Sequence, residues 1–326
     1  MKAIIKNKII LKEIYSASAI ELIDNELFII GDNSPFLFVL DLEGNIKNKV
    51  KIFDIEENSI QNVVIIPKKE KPDFEASCVL NINEKNYLFV VGSGSSEKRN
   101  LAVLIDLKTF EVKKISLKKL YECFIKLASL NLDPQNCELN IEGLCANDTN
   151  IYFFQRGNIN GNNFIFSLFL YDMIEYLSSE EQTINISKIN KQKVDLPSIE
   201  GIFSGFSGAS FTDNEQILWT SSVENTKNAI DDGNVLGSFL GTYNIHNQQV
   251  ESTIITEIIN KNCDKNSNEN SNENNNEISD KKETIFVGKV EGICALDWSE
   301  DKPKKQVIAV TDADGGCSEM IFIEIS

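Results

Sequence analysis

Histidine is almost missing from this chain: 326 residues contain one, His246. That rules against a multi-histidine zinc site. It also leaves a Ser-His-Asp triad or an imidazole base dependent on a single residue in the turn-like stretch YNIHNQQVES. No CxxC pair occurs among the seven cysteines, Cys78, Cys123, Cys137, Cys145, Cys263, Cys294 and Cys317. Their odd number and irregular spacing argue against a disulfide framework and for a reducing compartment. Cys78, Cys145 and Cys294 fall inside apolar runs, where a thiol packs as a small hydrophobe. No stretch approaches the roughly 18 apolar residues of a membrane span. The opening MKAIIKNKIILKEIYSAS is interrupted by lysine too often for a signal peptide. Positive charge is scarce as well: 32 Lys and Arg stand against 49 Asp and Glu, a net charge of −17. Such a surface repels phosphate backbones, and the one short basic run, Lys302 to Lys305, is broken by Pro303. These absences lead to the expectation of a cytoplasmic protein that binds neither nucleic acid nor membrane.

What the chain does contain is short apolar runs. ELFIIGD, FLFVLDL, NYLFVVG, LAVLIDL, NIYFFQ, FIFSLFLYD, QILWTSS, QVIAVTD and EMIFIEI are each about four to eight residues long, rich in Ile, Val, Phe and Tyr, and bounded by Gly, Asn, Asp or Ser. Helical spacing is confined to SLKKLYECFIKLASLNL, with Leu117, Leu120, Tyr121, Phe124 and Leu127 on one face, and more weakly to DMIEYLSSEEQ. The strands recur in a fixed order. Each copy has a strand opening with Ser, Ala, Glu or Gly, then two apolar strands, then a polar outer strand. Units of about four strands repeated around a ring make a β-propeller. The expected fold is therefore all-β: one domain over residues 1–326, five blades of four antiparallel strands, and one or two inserted helices. The stretch KIILKEI, residues 8–14, is expected to complete the last blade. SIQNVVIIPKK, residues 59–69, leaves six blades open. The Asn/Glu/Ser-rich residues 260–283 are expected to form a disordered insertion.

The inner strands carry the chemistry. FEASC, IEGLC and VEGIC place Glu75, Glu142 and Glu291 at the same point of three copies, where the other two have Ser18 and Ser207 or Gly208. Three carboxylates converging on one axial funnel are costly unless something compensates them. A hard divalent cation, held by carboxylate, amide and water oxygens, would do so. Arginine would also do so, and Arg99 and Arg156 lie on loops after the second strands of their copies. If inner strands begin at that face, Asp32, Glu224, Asn225 and Asp312 share it and join the arginines as ligand-binding candidates. GSGS, residues 92–95, lacks the helix and Lys-Ser/Thr of a phosphate loop. VTDADGG, residues 310–316, lacks the later Glu of an EF-hand.

Together, SAIELIDNELFIIGDNSPFLFVLDLEGN, PDFEASCVL, GSGSSEKR, IEGL, FSGASF and VEGICAL resemble a family of uncharacterised bacterial propellers, often found in Bacteroidetes. More distantly, the EG[IL] inner strands are similar to those of phytase-like esterase, SdiA-regulated and gluconolactonase or paraoxonase propellers. That resemblance implies a metal ion, usually calcium, at one end of the tunnel, and in some members hydrolysis of a lactone, ester or phosphoester. Only Glu75, Glu142 and Glu291 carry across as metal ligands. The Asn and Asp ligands of the lactonases have no match at Ser18 and Ser207, and His246 is not placed for paraoxonase chemistry.

Three functions follow from this reading. The first is a metal-dependent site that holds a small anionic molecule on Arg99 and Arg156, with ester or phosphoester hydrolysis as its chemistry and no catalytic residue assigned. The second is a non-catalytic scaffold for a small ligand or a protein partner on the rim. The third is an arginine-neutralised carboxylate cluster with a purely structural role.

Overall fold

A computed structural model describes residues 1–55, 59–60, 63–130, 138–157, 159–212, 216–226, 233–260, 281–299, 301–313 and 316–326. Repeated hydrophobic runs become repeated sheets. After β1 (Ala3–Tyr15), strands β2 (Ala17–Ile23), β3 (Glu26–Gly31), β4 (Phe36–Leu40) and β5 (Ile46–Lys51) form a four-stranded antiparallel sheet in chain order. Among the described residues, the stretch that left a sixth unit open gives β6 (Ser59–Ile60) paired with β7 (Val63–Val64). The next sheet contains β8 (Phe74–Ile82), β9 (Lys85–Gly92), β10 (Leu101–Asp106) and β11 (Val112–Ser116). Helix α1 (Lys118–Ala128) follows, then β12 (Ile141–Ala146), β13 (Asn150–Gln155), β14 (Phe164–Phe169), helix α2 (Leu170–Ser178) and β15 (Asn190–Lys193). These four strands make a third four-stranded sheet. The short β16 (Ser198–Ile199) leads into β17 (Ile202–Phe211), β18 (Gln216–Asn225), β19 (Asn234–Asn244) and β20 (Val250–Asn260). Last come β21 (Lys281–Ile285), β22 (Lys289–Asp297), β23 (Lys305–Asp312) and β24 (Cys317–Ile325).

The N-terminal strand does pair with the last unit. β1 runs antiparallel to β24, from Ala3 opposite Ile325 to Tyr15 opposite Cys317, and so becomes the fourth strand after β22, β23 and β24. Its first residues also pair in parallel with β20, Ala3 with Ile255 and Ile4 with Thr256. The last two units therefore read as one continuous sheet.

The first strands of the units lie side by side. β2 packs beside β8, β8 beside β12, β12 beside β17, β17 beside β22, and β22 returns to β2. This arrangement of four-stranded antiparallel sheets is consistent with a propeller. Close approach of these strands explains why small residues follow the glutamates. A Cβ on Gly208 would lie 2.2 Å from the main-chain oxygen of Glu291, and one on Gly292 would lie 2.9 Å from the Cα of Ala19.

Second strands are buried on both faces and so read as unbroken apolar runs: Leu27 to Ile30, Leu88 to Val91 and Val307 to Val310 are all core residues. Exposed edges carry lysine instead. β5 presents Lys47, Lys49 and Lys51, β11 presents Lys113 and Lys114, and β15 presents Lys191 and Lys193. Charge on an edge strand discourages pairing with another chain. Helix α1 buries Leu120, Tyr121, Phe124 and Ile125, and Phe124 stacks on Phe166 at 4.3 Å between ring centres. α2 starts at Leu170, two residues before the expected segment.

Of the insertion expected over 260–283, residues 261–280 lie outside the described residues. Its two flanks are corrected: Asn260 ends β20 and pairs with Lys281, which opens β21. These flanks can join a ladder because both are short extended runs beside an available strand edge. Among the described residues, no helix is long and apolar enough to cross a membrane.

Candidate functional site

One backbone irregularity recurs on every inner strand. Phe74 pairs with Gly92 and Ala76 with Val91, so Glu75 is an extra residue, a β-bulge. Glu142 is the extra residue between Ile141 and Gly143, and Glu291 between Val290 and Gly292. Ser18 and Ser207 hold the same position on β2 and β17. A bulge breaks the strict alternation of faces and re-aims one side chain. Here it turns the three glutamates toward one another, while the two serines bond to the main chain of the neighbouring inner strands. An oxygen from each of Glu75, Glu142 and Glu291 lies within 4.8 Å of the other two.

The arginines are turned inward as well. Arg156, only 5% exposed, donates from Nη2 to Glu224 at 2.7 Å and to Ser222 at 3.2 Å. Its Nη1 stands 3.7 Å from Glu142 and 3.9 Å from Glu291 and makes no hydrogen bond. Arg99 pairs with Asp73 at 2.8 Å and donates to Ser95 at 2.7 Å. Both arginines, expected to hold an anion, are paired with carboxylates of the chain itself, since a buried ion left alone is costly. Asp32 and Asp312 do join the funnel. Asn225 does not; it ends β18, exposed and paired through its backbone with Asn234.

Three residues missed by the sequence reading also belong to the site: Lys71, Asp73 and Lys289. Lys71 pairs with Asp32 and, at 2.7 Å, with Asp73. An oxygen from each of Asp32, Asp73 and Glu75 forms a second triad within 4.8 Å, so Glu75 belongs to both triads. Lys289 reaches Glu291 at 3.0 Å, Glu224 at 3.5 Å and Asp312 at 4.0 Å. A signal for two of these was present. Asp73, Asn140 and Lys289 each stand two residues before a bulged glutamate, and Asn140 donates to Glu142 at 2.6 Å.

The balance of charge sets the protonation. Among the described residues, seven carboxylates (Asp32, Asp73, Glu75, Glu142, Glu224, Glu291 and Asp312) meet four cations, Lys71, Arg99, Arg156 and Lys289. Burial pushes Glu75 well above the usual carboxylate range, helped by the charges of Asp73 and Glu142. Burial also raises Glu291, with Lys289 opposing and Glu142 assisting. Asp32 rises to about 6 because burial and the neighbouring Asp73 outweigh Lys71. Burial acts on Asp73 and Glu224 too, but their cation pairs, Lys71 with Arg99 and Arg156 with Lys289, overcome it and hold both below the usual range.

Below the bulged ring the axis narrows to a cavity of about 10 Å³, room for about one water, lined in part by Glu75, Glu142, Ser77 and Glu21. Glu21 accepts a hydrogen bond from Ser77 at 3.2 Å, and burial raises it to about 8. The free thiols of Cys78, Cys145 and Cys294 are buried near Glu21; burial and that carboxyl raise all three well above the ordinary thiol value.

The profile of a family of unknown function, DUF6929, matches residues 13–325. The chain belongs to that family. No curated protein matches the sequence. Among solved structures it is similar to the N-terminal domain of Nup159, at 11% identity and a TM-score of 0.35, covering 92% of this chain and 59% of that one. An alpha-L-arabinofuranosidase from Podospora anserina, in complex with cellotriose, is similar at 8% identity and a TM-score of 0.49, with 98% and 96% covered. A gluconolactonase from Xanthomonas campestris is similar at 8% identity and a TM-score of 0.37, with 97% and 89% covered. At such values these similarities transfer neither activity nor substrate to this chain.

Proposed function

We propose that the chain is a five-bladed propeller whose axial funnel binds a divalent cation through Glu75, Glu142 and Glu291. The ring of inner strands that returns from β22 to β2 supports the blade count. The observation that carries the cation is the stand-off around Arg156. A buried guanidinium is expected to close on its carboxylates. Glu142 and Glu291 instead remain 3.7 and 3.9 Å from Nη1 while their oxygens converge with that of Glu75. Among the described residues, Glu75 makes no hydrogen bond or close ion pair of its own.

The residues fit such an ion. Oxygens bound to one Ca²⁺ at about 2.4 Å are separated by at most about 5 Å, and the triad lies within 4.8 Å. The donors are all carboxylate oxygens, which favours Ca²⁺ over softer metals. When bound, the ion would supply Lewis-acid polarisation of a neighbouring oxygen, the chemistry of ester or phosphoester hydrolysis. The proposed role is binding, since the arginines that would orient an anionic substrate are engaged by carboxylates. The free cysteines fit a reducing, cytoplasmic setting.

A second reading is favoured by the same ion pairs: the cluster is charge-compensated and structural, within a scaffold for a partner on the rim. Thermal denaturation of chelator-treated protein separates the two. With millimolar Ca²⁺, Mg²⁺ or Mn²⁺ the melting temperature is expected to rise, by the equivalent of about 2.7 kcal/mol at a hundredfold excess over Kd. Glu75→Gln and Glu142→Gln are expected to remove the rise. Absence of any shift in the wild type with all three ions would leave the structural reading.

A further inference from the structure

Lys289 sits where a bound cation would compete with it. Its ammonium lies 3.0 Å from Glu291, one of the three proposed ligands, and 3.5 Å from Glu224. At the corresponding point, two residues before the bulge, the neighbouring strands have Asp73 and Asn140. Neither of these brings a positive charge into the triad. The Lys289 side chain is 13% exposed and that of Glu291 only 4%, so the lysine enters the pit from the solvent side. Farther out, Asp312 lies 4.0 Å from the ammonium, and its side chain is 15% exposed. Glu291 Oε1 is buried without a hydrogen bond, and Arg156 Nη1 faces it in the same condition. On the inner side Arg156 Nη1 is thus left without a hydrogen bond, while the Lys289 ammonium covers Glu291 Oε1 as its ion-pair partner.

We infer that Lys289 is a built-in counter-ion that competes with the divalent cation for Glu291 and sets the concentration at which the cation enters. This rests on the proposed cation site and specifies its control. Entry of the ion moves the ammonium outward along its four-carbon stem toward Asp312, and Arg156 remains on Glu224. Two like charges cannot share one carboxylate oxygen at low dielectric without strong repulsion, so occupation by ion and ammonium is mutually exclusive. The arrangement makes cation affinity depend on one long side chain that is not a ligand.

The experiment is isothermal titration of chelator-treated full-length protein with Ca²⁺. Four proteins are compared: wild type, Lys289→Gln, Asp312→Asn and the double variant. Lys289→Gln is expected to bind Ca²⁺ at least about tenfold more tightly, the change for about 1.4 kcal/mol of relieved repulsion. Asp312→Asn is expected to bind more weakly, because the displaced ammonium loses its outer partner. In the Lys289→Gln background the Asp312 change is expected to have much less effect, a non-additivity that a general loss of negative charge does not produce. If wild type binds Ca²⁺ and Lys289→Gln binds it no more tightly, the inference is overturned and the cation site stands. If neither binds Ca²⁺, both are overturned. Should Lys289→Gln fail to fold, the pair of wild type and Asp312→Asn still decides, since unchanged affinity in Asp312→Asn contradicts the outward displacement.

Discussion

The hydroxyl of Ser18 donates to the main-chain oxygen of Phe74 at 2.6 Å, tying one inner strand to the residue that precedes Glu75 on the next. Ser207 repeats the contact, donating to the oxygen of Val290 at 2.5 Å, immediately before Glu291. Where a bulge lacks a glutamate, a serine fastens the base of the neighbouring one. A buried hydrogen bond of this type contributes about 1 kcal/mol. Ser18→Ala and Ser207→Ala are each expected to lower stability by about 1 to 2 kcal/mol in urea denaturation, the upper part reflecting the carbonyl left without a donor. No loss in either variant would mean that these contacts only accompany the packing.

Arg156 holds the buried side of the funnel together through Glu224, and removing it strands carboxylates. Arg156→Met is expected to destabilise the protein by about 3 to 5 kcal/mol. The same denaturation curves check this. A neutral result would show that the carboxylates take up protons or water without cost.

Gly208 faces a neighbouring backbone, so even a methyl group has nowhere to go. Its Cβ would lie 2.2 Å from the Glu291 oxygen, far inside contact distance. Gly208→Ala is expected to cost about 3 kcal/mol and to displace Glu291. Cation affinity measured on the folded fraction is expected to drop with it.

Glu21 makes stability depend on pH with a definite sign. Burial raises its folded value to about 8 from an ordinary 4.5, so the folded state holds the proton more tightly than the unfolded chain does. Its contribution is complete below about pH 4.5, declines as pH rises, and is lost above about pH 8. Glu21→Gln is expected to flatten that part of the stability-against-pH curve, by an amount on the order of a few kcal/mol between the two ends. Unchanged slopes in wild type and variant between pH 5 and 9 would place the ionisation elsewhere.

The parts of the site legible in the sequence were those tied to repetition. Short apolar runs with polar ends mark the strands because each unit meets the same burial. The recurrence of Glu before Ala or Gly marks the axis because only small residues fit between inner strands. Direction along the chain placed Asp32, Glu224 and Asp312 at the same end as the glutamates, since second strands finish where first strands begin. Asn225 broke that rule by one residue: on a strand, a step of one turns the side chain to the other face. The bulges themselves left no mark in the pattern, because an extra residue is visible only against its partner strand. Lys71 was hidden for a related reason, and Asp73 and Lys289 were marked only by their shared spacing before the glutamates. Charged residues at strand starts are ordinarily solvated, and only the packing of the inner strands side by side draws these three inward. The pairing of Arg99 with Asp73 joins residues far apart in the chain, and no spacing rule encodes it.

The shared bulge at residues 18, 75, 142, 207 and 291 has a practical consequence for engineering. The backbone offers equivalent mounting points around a common centre, and natural variation between Ser and Glu leaves the framework unchanged. A combinatorial library confined to these codons would sample many coordination sets from a single scaffold, converting a fixed pore into a tunable one.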